Sequence, residues 1–399
     1  MQNRRLFLRS TLAAAVGGLV TAAAAARPLS ALCLTRGFTP EFEMLVLGDS
    51  VMWGQGLQES DKIYTLVRRG LEEELLRRPV RQLVKAHSGA TILPDRSPCL
   101  VASGEVNIST PTITYQIQMA LDDYRLKGMP PESVGLVLLN GGINDASFVR
   151  LLNVFATTRD KVRELARKYC GERMRALLLE TVTRFPNAIV IVPGYFPFIS
   201  TKTDPELIKH LIQAYLGLED RRKSIAALET IGTKSGTRNR SWIMRRLAEL
   251  SAEWYAASDA NLQRATDEVN AEIAARPELQ LSDARRTANM LAAEMPAAEG
   301  RRVFFVPIKF EEEEAYAAPS TRFWKITGRN PDFEGDPKVS RFITDDHQFK
   351  TRQPQCFQPK FNAFALQACQ IAGTGHPNVS GARRYAESIM GRLREITSP

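Results

Sequence analysis

Four short blocks hold residues whose types suit acyl chemistry at a hydroxyl. Ser50 closes Leu45-Val46-Leu47-Gly48-Asp49-Ser50, an apolar run that passes straight into Gly-Asp-Ser. A serine at the carboxyl end of a first strand lies where open α/β sheets bind ligands. His376, within Gly375-His376-Pro377-Asn378, is suited to taking a hydroxyl proton near neutral pH. Gly89, within Ala86-His87-Ser88-Gly89-Ala90, offers a backbone N–H with no side chain in the way. Asn144, within Leu139-Asn140-Gly141-Gly142-Ile143-Asn144-Asp145, offers a side-chain amide donor. Together they supply a nucleophile, a base and donors for an oxyanion. Taken singly, Gly-Asp-Ser and the Gly89 block also read as plain turns.

In this order and strand context the blocks resemble the SGNH, or GDSL-type, serine ester hydrolase family. The resemblance implies that Ser50 is the nucleophile and His376 the base. It implies an oxyanion hole built from the N–H groups of Ser50 and Gly89 and the amide of Asn144. Gly142-Ile143-Asn144-Asp145 matches the family's Gly-x-Asn-Asp block, and Asp49 and Asp145 are read as structural neighbours of the site. The implied reaction is ester hydrolysis of the esterase or lipase type through an acyl-enzyme on Ser50, with no metal or organic cofactor. One position departs from the pattern. The family carries Asp three residues before the His, and here that residue is Gly373. Three groups remain to orient His376: the Gly373 carbonyl, Asp346 and Asp345. The carbonyl is favoured, because a loop so close in sequence needs no long-range fit. The elbow Gly-x-Ser-x-Gly of the α/β-hydrolases is absent.

These residues need a sheet to bring them together. Five apolar runs read as buried parallel strands: Met44–Gly48, Leu83–Ala86, Val134–Leu139, Ala188–Val192 and Arg302–Ile308. Amphipathic stretches lie between and after them, at Lys62–Arg78, Ile113–Tyr124, Glu172–Arg184 and Gly381–Ile396. The alternation predicts an α/β protein with a doubly wound, five-stranded parallel sheet, flavodoxin-like as in the resembled family. Residues 200–300 break the rhythm and read as a helical insertion, with Leu207, Leu211, Trp242 and Trp254 at helical spacing. That face either caps the site or packs on the domain's flank. Ala315–Gln370 reads as irregular.

The first 26 residues read as an export signal ahead of a hydrolase domain at 27–399. Arg4-Arg5 precedes an uncharged, Ala-rich stretch and resembles a twin-arginine signal, which predicts a periplasmic or secreted protein. The formal charge of +9 falls to +6 without Arg4, Arg5 and Arg9, too mild to argue for nucleic acid. Of the five cysteines, Cys356 and Cys369 flank the segment that delivers His376 and form the expected disulfide. Cys33 is expected to be free, and Cys99 and Cys170 are left unassigned. The four histidines show no helical metal spacing. Expected partners are a small-molecule, lipid or glycan ester substrate and the export machinery. An acyltransferase acting on an envelope glycan, or a non-catalytic glycan or lipid binder, remain alternatives on the same fold.

Overall fold

Runs of valine, leucine and isoleucine without polar alternation demand cover on both faces. The computed structural model supplies it. It describes residues 41–93, 104–106, 111–151, 153–215, 237–282, 289, 291, 300–358 and 361–397. The main sheet comprises β1 (Phe42–Leu47), β2 (Val80–Val84), β3 (Val134–Leu139), β4 (Ile189–Pro193) and β5 (Val303–Val306). All but β2 are buried at every position. The order is β2-β1-β3-β4-β5 and every neighbour is parallel. The fold is therefore doubly wound α/β with flavodoxin-like strand order, and its topological switch point lies between β1 and β3. Ser50 follows the first of these strands and Asn144 the second.

Burying one valine or leucine side chain contributes roughly 1.5–3 kcal/mol. Leu45, Val46, Val137 and Leu138 have no exposed surface, so the two strands that deliver the site are firmly held. Strand β2 starts earlier than expected, at Val80 rather than Leu83. It is the edge strand, and Arg81 leaves it to pair with the buried Glu43 of β1.

Helix Ile113–Leu126 starts after Thr112, whose hydroxyl accepts the Tyr115 N–H at 3.3 Å. It buries Ile113, Gln116, Ile117, Ala120 and Tyr124, one stripe at helical spacing. The stretch expected at Glu172–Arg184 belongs to a longer run. Arg159–Ala166 and Met174–Arg184 are joined by a π-helical segment, Arg167–Arg173. Helix Ile63–Gly70 likewise passes into a π-helical turn, Leu71–Leu75. The last helix is Val379–Thr397. No helix of the described residues is long and apolar enough to cross a membrane.

The interval 200–300 contains helix Pro205–Tyr215 and the 39-residue helix Thr237–Ala275. Leu247, Trp254, Leu262, Val269 and Ile273 of the long helix are buried. It packs along Arg159–Arg184 and against β5, so most of its apolar face covers the flank of the sheet. Trp242 does not join that face. It is 41% exposed and meets only the Phe155 ring, at 5.9 Å, among the aromatic pairs of the described residues.

The segment expected to be irregular holds an antiparallel hairpin of β6 (Ile326–Arg329) and β7 (Phe342–Thr344). Cys356 and Cys369 are disulfide-bonded with Cα atoms 5.7 Å apart, inside the usual range. Cys170 is free and buried. Cys33, Cys99 and the signal segment 1–26 lie outside the described residues.

Candidate active site

Ser50 is placed by the turn that ends β1. Gly48 has φ of +137°, and a Cβ there would overlap the Asn140 side chain, so the turn requires glycine. Gln116 grips this residue twice. Its Oε1 accepts the Gly48 N–H at 2.8 Å and its Nε2 donates to the Gly48 carbonyl at 2.9 Å. Asp49 caps the short helix Ser50–Trp53 by accepting the Val51 N–H at 2.9 Å. The same carboxylate accepts from Asn140 Nδ2 and from the Tyr195 hydroxyl, each at 2.9 Å. Asn140 Oδ1 accepts the Asp49 N–H at 3.1 Å. Chain that follows β1, β3 and β4 is thereby locked together behind Ser50. Burial pushes the Asp49 carboxyl above its usual range, against the pull of these three donors.

His376 Nε2 lies 2.7 Å from Ser50 Oγ. Its Nδ1 faces the Gly373 carbonyl at 3.3 Å. With Nδ1 protonated and donating to that carbonyl, Nε2 is the lone-pair nitrogen that accepts the Ser50 hydroxyl. The loop is clamped by Trp324, whose N–H donates to the His376 carbonyl at 2.9 Å and whose carbonyl accepts the Gly375 N–H at 2.8 Å. Burial pushes the imidazole from an ordinary 6.5 down to about 4, and the Arg352 charge adds to this. The Gly373 carbonyl and Asp346 oppose it.

A base must be neutral to accept a proton, so the sign follows directly. Activity is expected to be full above the lowered value and to fail as pH drops through about 4. The measurement is kcat/KM against pH. An acid limb at the ordinary histidine value would contradict the burial argument.

The second and third blocks meet across the switch point. Asn144 Nδ2 donates to the Ala90 carbonyl at 3.0 Å, which leaves its second amide hydrogen for another acceptor. Asp145 accepts the Ile92 N–H at 2.9 Å and an Arg173 N–H at 3.1 Å, a structural use. Burial pushes its carboxyl up to about 6. Among the described residues, no acceptor takes the backbone N–H of Ser50 or of Gly89.

Ser50, Asn144 and His376 line one cavity of about 320 Å³. Gly89 does not line it and sits one residue from the Ala90 carbonyl. The remaining wall is mostly apolar, with Phe148, Leu151, Phe196 and Phe198. Leu250, Ser251 and Trp254 of the long helix complete it, so the 200–300 interval both covers the flank and borders the site. Ser251 Oγ also accepts the N–H groups of Phe198 and Ile199, at 2.8 and 2.9 Å.

Among the described residues neither acidic alternative hydrogen-bonds to the His376 ring. Asp345 accepts the Lys325 N–H at 2.7 Å, and Asp346 is engaged by Arg352. The Gly373 carbonyl is the group at Nδ1. Gln116, Tyr195 and Arg352 carry no motif that marks them in the sequence. Asn140 stands inside the third block, where local sequence does not mark its partner Asp49. Among the described residues no cluster of His, Cys, Asp and Glu is arranged to hold a metal.

No family model matches the chain, and no curated protein is similar to it at a significant level. Solved structures do show likeness. A lipase from a goat rumen metagenome is 11% identical, with a TM-score of 0.39 over 88% of this chain and 99% of that one. An extracellular lipase from Streptomyces rimosus is 12% identical, with a TM-score of 0.40 over 89% and 99%. Phospholipase A1 from Streptomyces albidoflavus is 14% identical, with a TM-score of 0.31 over 58% and 77%. At such scores nothing about the reaction passes from those proteins to this chain.

Proposed function

We propose that the chain is a serine ester hydrolase of the SGNH, GDSL type, acting on carboxylic esters with an apolar acyl chain. The observation that carries this is the 2.7 Å contact between Ser50 Oγ and His376 Nε2 in the wall of an apolar cavity. Serine alone is a weak nucleophile, and His376 removes its proton as Oγ attacks the ester carbonyl. The carbonyl oxygen gains the negative charge and is met by the Ser50 N–H and the Asn144 amide, both from residues that line the cavity. His376 then gives its proton to the leaving alcohol. Water, deprotonated by the same imidazole, attacks the acyl-enzyme and releases the acid. An aromatic and aliphatic wall favours acyl chains over sugars or charged groups, and the volume suits a small-molecule site.

A series of 4-nitrophenyl esters from acetate to palmitate tests this. Expected is a kcat/KM that climbs with chain length and falls once the cavity is filled. No hydrolysis of any member, or a maximum at acetate, would contradict it.

Asn144 has a separate test. Asn144→Ala is expected to lower kcat about 10²–10³-fold with a smaller change in KM, because the donor acts on charge that develops in the transition state. Steady-state kinetics on the best ester of the series decides it. A change confined to KM would make Asn144 a ground-state binding residue.

Export through the Arg4-Arg5 signal belongs to the same proposal. What supports it is the signal's sequence together with the Cys356–Cys369 bond, since disulfides persist outside the reducing cytoplasm.

A further inference from the structure

The space beside Gly373 is filled by a carboxylate from elsewhere in the chain. A Cβ built on Gly373 would overlap Cβ, Cγ and Oδ2 of Asp346. Asp346 is fixed in that place. Arg352 holds both its oxygens, Nη1 to Oδ1 at 3.1 Å and Nη2 to Oδ2 at 2.8 Å. Its side chain also accepts from the Thr344 hydroxyl and from the Gln348 N–H. Both side chains of the pair have no exposed surface. Arg352 reaches on to the Gln370 carbonyl at 3.5 Å, three residues before Gly373. The Gly373 carbonyl in turn takes the His376 N–H at 3.0 Å and faces Nδ1 at 3.3 Å.

We propose that Asp346 is the positioning residue of His376. Its Arg352-anchored carboxylate occupies the volume of the side chain that position 373 lacks, and so fixes the peptide whose carbonyl orients the imidazole. The proposal rests on the Ser50–His376 reading. Asp346 neither hydrogen-bonds to the ring nor lines the cavity, so it acts through the 373 peptide and through its charge. An acid at 346 and an acid at 373 are mutually exclusive, because both need the same space.

That exclusivity sets the experiment. Gly373→Asp alone forces the new side chain into Asp346, and displacing the peptide by about 1 Å is expected to lower kcat about 10²-fold. The double variant Gly373→Asp/Asp346→Gly clears the space and returns a carboxylate to it. It is expected to recover at least about tenfold of that loss, with KM little changed. Asp346→Asn keeps the shape and removes the charge that favours imidazolium, leaving Arg352, whose other carboxylate partner is Glu105 at 3.4 Å, to disfavour it. Expected are a kcat lower by about tenfold and an acid limb moved to lower pH. A double variant no faster than Gly373→Asp overturns the proposal. So does an Asp346→Asn protein with wild-type kcat and an unmoved limb. If Asp346→Asn does not fold, the double variant decides alone, since it supplies a carboxylate beside Arg352. Loss of wild-type activity in Ser50→Ala beside an unaffected Asp346→Asn overturns this proposal only. Ester hydrolysis that survives in Ser50→Ala overturns the underlying pair and this proposal with it.

Discussion

Ser50→Ala is expected to leave a folded protein whose ester turnover is lower by about 10⁴–10⁶-fold. Oγ is the only atom lost. Among the described residues its one partner is His376 Nε2, at 2.7 Å. The turn around it does not depend on that oxygen. Gly48 is held by Gln116, and Asp49 caps the following helix with its own carboxylate. What disappears is the covalent route, while Asn144, the proposed oxyanion donor that lines the same cavity, stays in place and is expected to support a residual rate. Turnover on the best ester, measured beside circular dichroism and the melting temperature, tests this. A folded variant that retains even a tenth of wild-type turnover would contradict it.

The second large effect belongs to His376. His376→Ala is expected to lower kcat by about 10⁴-fold or more, since Ser50 then has no base. The loop should keep its course, because Trp324 holds it through backbone groups on both sides of the ring. The double variant Ser50→Ala/His376→Ala is expected to be no slower than the poorer single. Two residues that act as a unit lose their contribution once, whichever is removed. Losses that multiply in the double variant would mean that the two side chains serve different steps.

Much of this arrangement is legible in the chain because buried parallel strands write themselves as unbroken apolar runs. β1, β3, β4 and β5 are of that kind. β2 is the edge strand, and Val80-Arg81-Gln82 mixes polar with apolar residues, so its start is not marked. The long helix is legible only over its aromatic part. Its buried face continues through Ser258, Thr266 and Asn270, polar residues that satisfy themselves inside the fold. The hairpin β6–β7 escapes because Ile326-Thr327-Gly328-Arg329 has no clean alternation and its partner strand is distant.

The site divides in the same way. Ser50, Asn144 and His376 stand in short blocks, and the structure brings them to one cavity. The Gly373 carbonyl follows from local sequence alone, since it lies three residues from the ring it faces. The partners that hold the site come from far along the chain. Tyr195 meets Asp49 across 146 residues, and Asp346 meets Gly373 only through the course of the segment after β7. No local pattern encodes such pairs, because their geometry is set by how the elements pack.

The central claim is that Ser50 is an activated nucleophile. Its most direct test is reaction of the purified protein with an alkyl fluorophosphonate, followed by peptide mass spectrometry. Expected is one phosphonyl group per chain, located on Ser50, with labelling lost in Ser50→Ala and strongly slowed in His376→Ala. A folded wild-type protein that takes up no label from the reagent, or takes it up on another serine, would contradict this role for Ser50.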